Sequence, residues 1–270
     1  MNVTKLSKKG NKQNNGITSK GAMMFYLLFF IILMHMPFVF AKSMDAGSVA
    51  FIPKSEKPVI AESVETKADV EGNYIDSMYE ALELNDLGLS EKVFQYAIKG
   101  FHYLQQNGKL AKDDILSIAD FSQPSSKKRL FVIDMNSGDV LYNTFVAHGV
   151  NSGKEYAKQF SNAPASYKSS LGFYETLGTY MGGNGYSLRL EGLERGINDN
   201  ANRRDIVIHG AGYANESLVR AQGYLGRSWG CPALPEKLSK PIIDKIKNGS
   251  CFFIYSTEAS YLQKSKIINA

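Results

Sequence analysis

The 270-residue sequence predicts a mainly β fold, a sandwich or barrel with one late helix, preceded by a small helical subdomain. Three observations carry this. Apolar residues recur at helical spacing from Asn73 to Asn107. From Ile115 the period changes to two. Beyond that point short apolar runs alternate with Gly, Asn, Ser and Asp clusters as far as Tyr255, with one helical stretch between them.

Residues 1–41 read as a targeting segment. The first 20 residues hold Lys5, Lys8, Lys9, Lys12 and Lys20 and no acid, and Ala22 to Ala41 is almost wholly apolar, interrupted by His35 and Pro37. Val39-Phe40-Ala41 offers small residues for cleavage, so a signal peptide is expected, with Pro37 favouring removal. An uncleaved anchor is the alternative, because about 20 apolar residues span a bilayer. Both place the remainder outside the cytoplasm, in the periplasm or cell envelope. All 26 acidic residues lie after Ala41, and so do 26 of the 31 basic ones. The formal charge of +5 therefore belongs to the leader, and the exported part shows no nucleic-acid footprint. Membrane contact is expected only through a retained leader. The sequence leaves the oligomeric state open.

Residues 42–72 are rich in Lys, Glu, Ser, Pro and Ala with no sustained apolar period, which predicts a linker. Residues 73–114 predict a helical subdomain. Tyr74, Ile75, Met78, Tyr79 and Leu82 mark one helix, which Leu87-Gly88-Leu89 breaks. Ser90 can cap a second, with Val93, Phe94, Ala97, Ile98, Phe101 and Leu104 on one stripe and Asn107-Gly108 at its end. Residues 115–256 predict the β domain. Strands are expected at Leu116–Phe121, Arg129–Asp134, Val140–Val146, a short Ser170–Glu175, Tyr186–Leu190, Ile206–His209 and Cys251–Tyr255. The late helix is expected between Pro235 and Lys247, and residues 257–270 read as a C-terminal tail.

Chemistry gathers in one stretch. Ile206-Val207-Ile208 delivers His209 to a strand end, and Gly210 is expected to let the backbone turn away. Cys231 follows 22 residues later, after Gly230. A thiolate nucleophile needs a base for its proton, and an imidazole supplies one. Ser228-Trp229-Gly230 permits a sharp bend that aims the N–H groups of Gly230 and Cys231 at one point, an oxyanion hole. No acid flanks His209 except Asp205, four residues back, so the Gly210 carbonyl is the candidate to hold the ring. A Cys231–Cys251 disulfide is the competing reading for an exported chain with two cysteines, although Cys251 lies in an apolar strand-like run. No closely spaced ligand pair points to a metal. His148, also followed by glycine, is read either as lining the substrate groove or as capping a strand. Trp229 either stacks on substrate or packs under the nucleophile loop. The stretch from Ala211 to Arg227 is either a lid or a long connector.

His209-Gly210, a loop, then Ser228-x-Gly230-Cys231 resembles the signature of the L,D-transpeptidase catalytic domain, the YkuD-like cysteine enzymes of the bacterial cell wall. His before Cys fits that family and not the papain-like or NlpC-like peptidases. Phe145 to Gly153 and Ser169 to Phe173 occupy the places of the family's upstream glycine-containing segments, so the resemblance covers about Leu116 to Tyr255. The family usually has Ser/Thr-His-Gly-Cys, then an apolar residue, then Arg or Asn. Here Trp229, Pro232 and Ala233 stand at those places, the mark of a divergent murein L,D-transpeptidase branch. Arg227 or Arg220 is the substitute offered for the missing anchor. The resemblance implies an L,D-transpeptidase-like fold without metal or organic cofactor. It implies attack by Cys231 on the third residue of a peptidoglycan stem tetrapeptide, with His209 and Gly210 in the catalytic set. Ser228, Trp229, His148 and Arg227 are the candidate substrate contacts. A thioester resolved by an amine gives a 3→3 cross-link. Resolution by water makes the chain a hydrolase, an L,D-carboxypeptidase. A non-catalytic wall-binding module carrying the disulfide is the remaining alternative.

Overall fold

The structure, a computed structural model, describes residues 67–270. The expected leader and residues 42–66 of the expected linker lie outside the described residues. Helix α1 (Lys67–Ala81) starts inside the stretch read as linker, because Gly72 does not end it and Ile75 and Tyr79 bury further along. The turn after it is tied by the Tyr79 hydroxyl, which donates to the Leu89 carbonyl at 2.6 Å. Helix α2 (Glu91–Gln106) buries the whole expected stripe, Val93, Phe94, Ala97, Ile98, Phe101 and Leu104. These side chains share one apolar cluster with the sheet, so the core has no break at residue 114.

The β region is a single eight-stranded sheet, nearly closed into a barrel. Its strands are β1 (Ile115–Asp120), β2 (Leu130–Asp134), β3 (Asp139–Thr144), β4 (Gly172–Gly182), β5 (Gly185–Gly192), β6 (Val207–Gly210), β7 (Ala233–Leu234) and β8 (Cys251–Tyr255). Their order is β3-β2-β1-β8-β4-β5-β6-β7. After β3 the chain returns to β7, where Ala147 bridges Ala233, and Gly149 bridges Ser228. The two ends of the sheet thereby meet at the stretch that carries the thiol. Strand β1 is buried along its length, Ser117 included, because α2 packs on β1 and β8.

Three departures from the sequence reading have physical causes. Strand β4 is no short strand: it runs eleven residues, absorbing Leu177-Gly178 as an irregularity between Thr176 and Thr179. Three helices follow β6, where the sequence predicts one. Helix α4 (Glu236–Ile246) is the expected one and packs on β6. Helix α3 (Glu216–Gln222) lies within the Ala211–Arg227 stretch, is capped by Asn215 accepting from the Leu218 N–H at 2.9 Å, and has no buried residue to leave an apolar period. Helix α5 (Ala259–Lys264) lies in the expected tail, which is packed rather than free. Tyr261, Ile267 and Ile268 are buried there. The buried Glu194 carboxylate accepts from the Tyr261 hydroxyl at 3.1 Å and the Ser265 hydroxyl at 2.5 Å, and from the Phe173 N–H at 2.9 Å. Polar latches of this kind leave no hydrophobic signature. Among the described residues no helix is long and apolar enough to cross a membrane.

Candidate active site

A cavity of about 510 Å³ opens beside the β6–β7 edge and is lined by both His209 and Cys231. Strand β6 places His209 one register step from the thiol loop: His209 pairs with Ala233 and Gly210 with Leu234 in a parallel ladder. Gly210 thus continues the strand and makes no turn there. What it provides is a close approach, since a Cβ would sit 2.5 Å from the Ser239 hydroxyl of α4. The His209 Nδ1 lies 3.0 Å from the Gly210 carbonyl oxygen. That acceptor places the ring proton of a neutral imidazole on Nδ1, so Nε2 keeps its lone pair. Burial holds the His209 pKa below its ordinary value, partly offset by that carbonyl.

Cys231 is buried, and its thiol is free, as is that of Cys251. The disulfide of the alternative reading is therefore not formed. Cys251 lies wholly inside the sheet between Leu116 and Glu175 and does not reach the cavity. Around the Cys231 sulfur, the Val207 N–H donates at 3.5 Å, and the thiol faces the Asp205 carbonyl at 3.7 Å. Burial pushes the Cys231 pKa up, while the Val207 N–H and the Arg204 guanidinium pull it down. The opposite shifts of thiol and imidazole both favour the neutral forms.

The thiol loop is held by Ser228. Its hydroxyl donates to the Cys231 carbonyl at 2.7 Å and accepts the Gly230 N–H at 3.0 Å. The Gly230 N–H is therefore occupied and is not an oxyanion donor, contrary to the sequence expectation. The Cys231 N–H has no such commitment among the described residues. Gly230 serves through its backbone instead: its φ is +124°, and a Cβ would meet the Lys168 carbonyl at 2.8 Å.

His148 does not line the cavity. It is fully buried, with Nδ1 2.7 Å from an Arg129 Nη and Nε2 3.3 Å from the Gly153 carbonyl. Arg129, itself fully buried, also donates to the Val146 and Gln123 carbonyls and lies over the Phe121 ring. Burial and the neighbouring cation hold the His148 pKa down at about 3, so the ring is neutral. Its role is on the far side of the loop, where its backbone carbonyl accepts the Ser228 N–H at 3.0 Å. Both histidines precede glycine, yet one is a buried tie and the other faces the cavity.

Trp229 does not pack under the loop. It is 75% exposed, lines the cavity mouth and pairs with Tyr167 at 5.6 Å between ring centroids. Arg227 lines the cavity, with a 3.4 Å contact to the Gly153 carbonyl. Arg220 is on the exposed face of α3, paired with Glu216, and does not reach the site. The lining also contains Arg204, Tyr213 and, from the β4–β5 turn, Asn184, none of which the sequence reading singled out, and Asp205, which it weighed only as a partner for His209. The polar run Asn202-Arg203-Arg204-Asp205 just ahead of an apolar strand was the available signal. Among the described residues no three His, Cys, Asp or Glu side chains converge on one point.

The family described as the L,D-transpeptidase catalytic domain matches residues 85–255, thus including α2, ahead of the stretch that the motifs cover. Among curated proteins nothing matches. Solved structures with a likeness include an L,D-transpeptidase from Mycobacterium smegmatis, at 15% identity and a TM-score of 0.32 over 53% of this chain and 59% of that one. The likeness to L,D-transpeptidase 3 from Mycobacterium tuberculosis, in complex with a faropenem-derived adduct, has 16% identity and a TM-score of 0.32 over 53% and 60%. For L,D-transpeptidase (Yku) from Stackebrandtia nassauensis the values are 14% and 0.32 over 70% and 78%. The chain spans about six tenths of the length of the first two.

Proposed function

Because the chain belongs to the L,D-transpeptidase catalytic domain family, we propose that it is a cysteine L,D-transpeptidase acting on peptidoglycan stem peptides, exported to the periplasm or cell envelope. The observation that carries this reading is the sharing of one cavity by Cys231 and a His209 whose Nδ1 is held 3.0 Å from the Gly210 carbonyl.

In this reading His209 Nε2 removes the thiol proton and the sulfur attacks the carbonyl of the third residue, a diamino acid, of a stem tetrapeptide. The C–N bond to the terminal D-alanine breaks, His209 returns its proton to the leaving amine, and a Cys231 thioester remains. An amine from a second stem then attacks, giving its proton to His209 as the C–S bond breaks, and the released thiolate regains that proton, which leaves a 3→3 cross-link. The Cys231 N–H is the donor offered to the developing oxyanion. Trp229 and Tyr167, exposed at the mouth, offer an aromatic edge for the substrate. Arg227 is the cation offered at the rim in place of the Arg or Asn that Ala233 replaces.

The test is incubation of the purified chain with a stem tetrapeptide, alone and with an acceptor amine, followed by mass analysis. Cross-linked dimer with release of D-alanine supports the transpeptidase. Tripeptide alone replaces it with the hydrolytic carboxypeptidase. Unchanged tetrapeptide in both arms overturns the reading.

A further inference from the structure

Taking Cys231 as the nucleophile of the proposed function, we infer that Arg204 is a positioning residue that stabilises the Cys231 thiolate from outside the motif, as a fixed cation in the same cavity. The cue is an imbalance. The thiol is buried, the contacts to its sulfur are a backbone N–H and a backbone carbonyl, and the acid in the same cavity, Asp205, opposes a negative charge there. A thiolate formed there gains from a fixed cation besides the proton taken up by His209, since a buried anion is costly to hold.

Arg204 and Cys231 line the same cavity. The guanidinium does not sweep freely. One Nη donates to the Ser161 carbonyl at 2.8 Å and the Ser170 hydroxyl at 2.9 Å. The other donates to the Ser166 hydroxyl at 3.1 Å and the Lys168 carbonyl at 2.7 Å. All four acceptors are neutral, so the positive charge is held in place and not cancelled. The residue's backbone is equally constrained. Arg204 ends the short 3-10 turn Asn202–Arg204, and Asp205 follows in the left-handed region at φ +54°, presenting its carbonyl to the sulfur. Val207, two residues on, presents the N–H. One turn therefore supplies the cation, the carbonyl facing the thiol and the N–H donor to the sulfur.

The other charged or titratable groups lining the cavity are Tyr167, Asp205, His209, Tyr213 and Arg227, with Tyr174 interacting with the guanidinium from the sheet side. Asp205 opposes the thiolate, Arg227 lies at the rim against Gly153, and Tyr213 stays protonated at neutral pH, its pKa pushed up to about 12 by burial. Arg204 is the cation tied beside the thiol loop, since the Lys168 carbonyl it bonds at 2.7 Å is the atom that a Cβ on Gly230 would meet at 2.8 Å. Its four bonds also hold the segment of Ser161 to Ser170, which carries Tyr167 to the mouth, so loss of charge and loss of tether must be separated.

The experiment reads the thiol directly, without peptidoglycan. Rates of Cys231 alkylation by neutral iodoacetamide are measured against pH for the wild type, Arg204→Lys and Arg204→Gln, with Cys251 as the buried internal control and near-UV circular dichroism as the check on fold. For Arg204→Gln, which keeps donors and loses charge, the alkylation midpoint is expected to rise by about one pH unit or more. For Arg204→Lys, which keeps charge and loses tethers, it is expected to stay within a few tenths of the wild type. A folded Arg204→Gln variant with an unmoved midpoint overturns the inference. If Arg204→Gln does not fold, Arg204→Lys decides together with the wild type's ratio of anionic iodoacetate to iodoacetamide rates. A ratio above that of free cysteine, retained in Lys, supports it, and a ratio equal to free cysteine overturns it. Failure of the stem-peptide assay with an intact alkylation profile would instead remove the proposed function and leave the thiolate site standing.

Discussion

Lowering the pH should destabilise the protein through His148. In the folded chain this imidazole is neutral, buried against Arg129, with a pKa of about 3 against an ordinary 6.5. A depressed histidine pKa means that the unfolded chain binds the proton more tightly. The stabilisation is therefore complete above pH 6.5 and is lost as the pH falls from 6.5 toward 3. Each pH unit in that window removes about 1.4 kcal/mol, so pH 5 should lie roughly 2 kcal/mol below pH 7.5 on account of His148 alone. For a folded region of this size that corresponds to a melting shift of about 4–8 °C. The perturbation that isolates it is His148→Asn, whose side-chain oxygen can still accept from Arg129 while nothing titrates. The variant should be less stable at pH 7.5 by about 1–3 kcal/mol, because the contact to Gly153 is lost. Its stability should also fall less steeply on acidification. The assay is urea unfolding at pH 7.5, 6.5, 5.5 and 5.0, taking the difference between variant and wild type at each pH. His209, shifted the same way by burial, contributes equally to both proteins and cancels in the difference. Parallel stability curves for the two proteins would refute the buried, neutral His148.

Three further outcomes follow from the same geometry. Ser228→Ala removes both the acceptor for the Gly230 N–H and the donor to the Cys231 carbonyl, and should cost about 1–3 kcal/mol of stability and lower kcat/KM for stem tetrapeptide at least tenfold, measured by unfolding and steady-state kinetics. Trp229→Ala should leave stability within about 0.5 kcal/mol of wild type, because the ring is exposed, while raising KM for stem peptide. Gly230→Ala forces a side chain at φ +124° against the Lys168 carbonyl and should destabilise the chain by more than about 2 kcal/mol in thermal unfolding.

The parts of the fold readable from sequence were those whose burial is one-sided or complete and apolar. The α2 stripe and the Cys251–Tyr255 run had this character, and both stand where their patterns place them. Elements held by polar contacts left no such mark. Helix α3 buries nothing, and the C-terminal segment is latched to Glu194 through Tyr261 and Ser265, partners 67 and 71 residues away in the chain. The site divides in the same way. His209 and Cys231 were legible because a strand end and a glycine-bracketed thiol are local features. His148-Gly149 reads just like His209-Gly210, and what separates them is Arg129, a residue that looks like an exposed strand start and is wholly buried. Arg204 was invisible for the converse reason. Its acceptors lie 34 to 43 residues upstream, in a loop whose sequence says only that it is polar.

In the proposed function Cys231 forms an acyl-enzyme while Cys251 stays inert inside the sheet. Intact-protein mass spectrometry after exposure to stem tetrapeptide or a carbapenem, with peptide mapping of the adduct, tests it most directly. One adduct per chain is expected, on the peptide containing Cys231, absent from Cys231→Ala. An adduct on Cys251, or one that persists in Cys231→Ala, would contradict it.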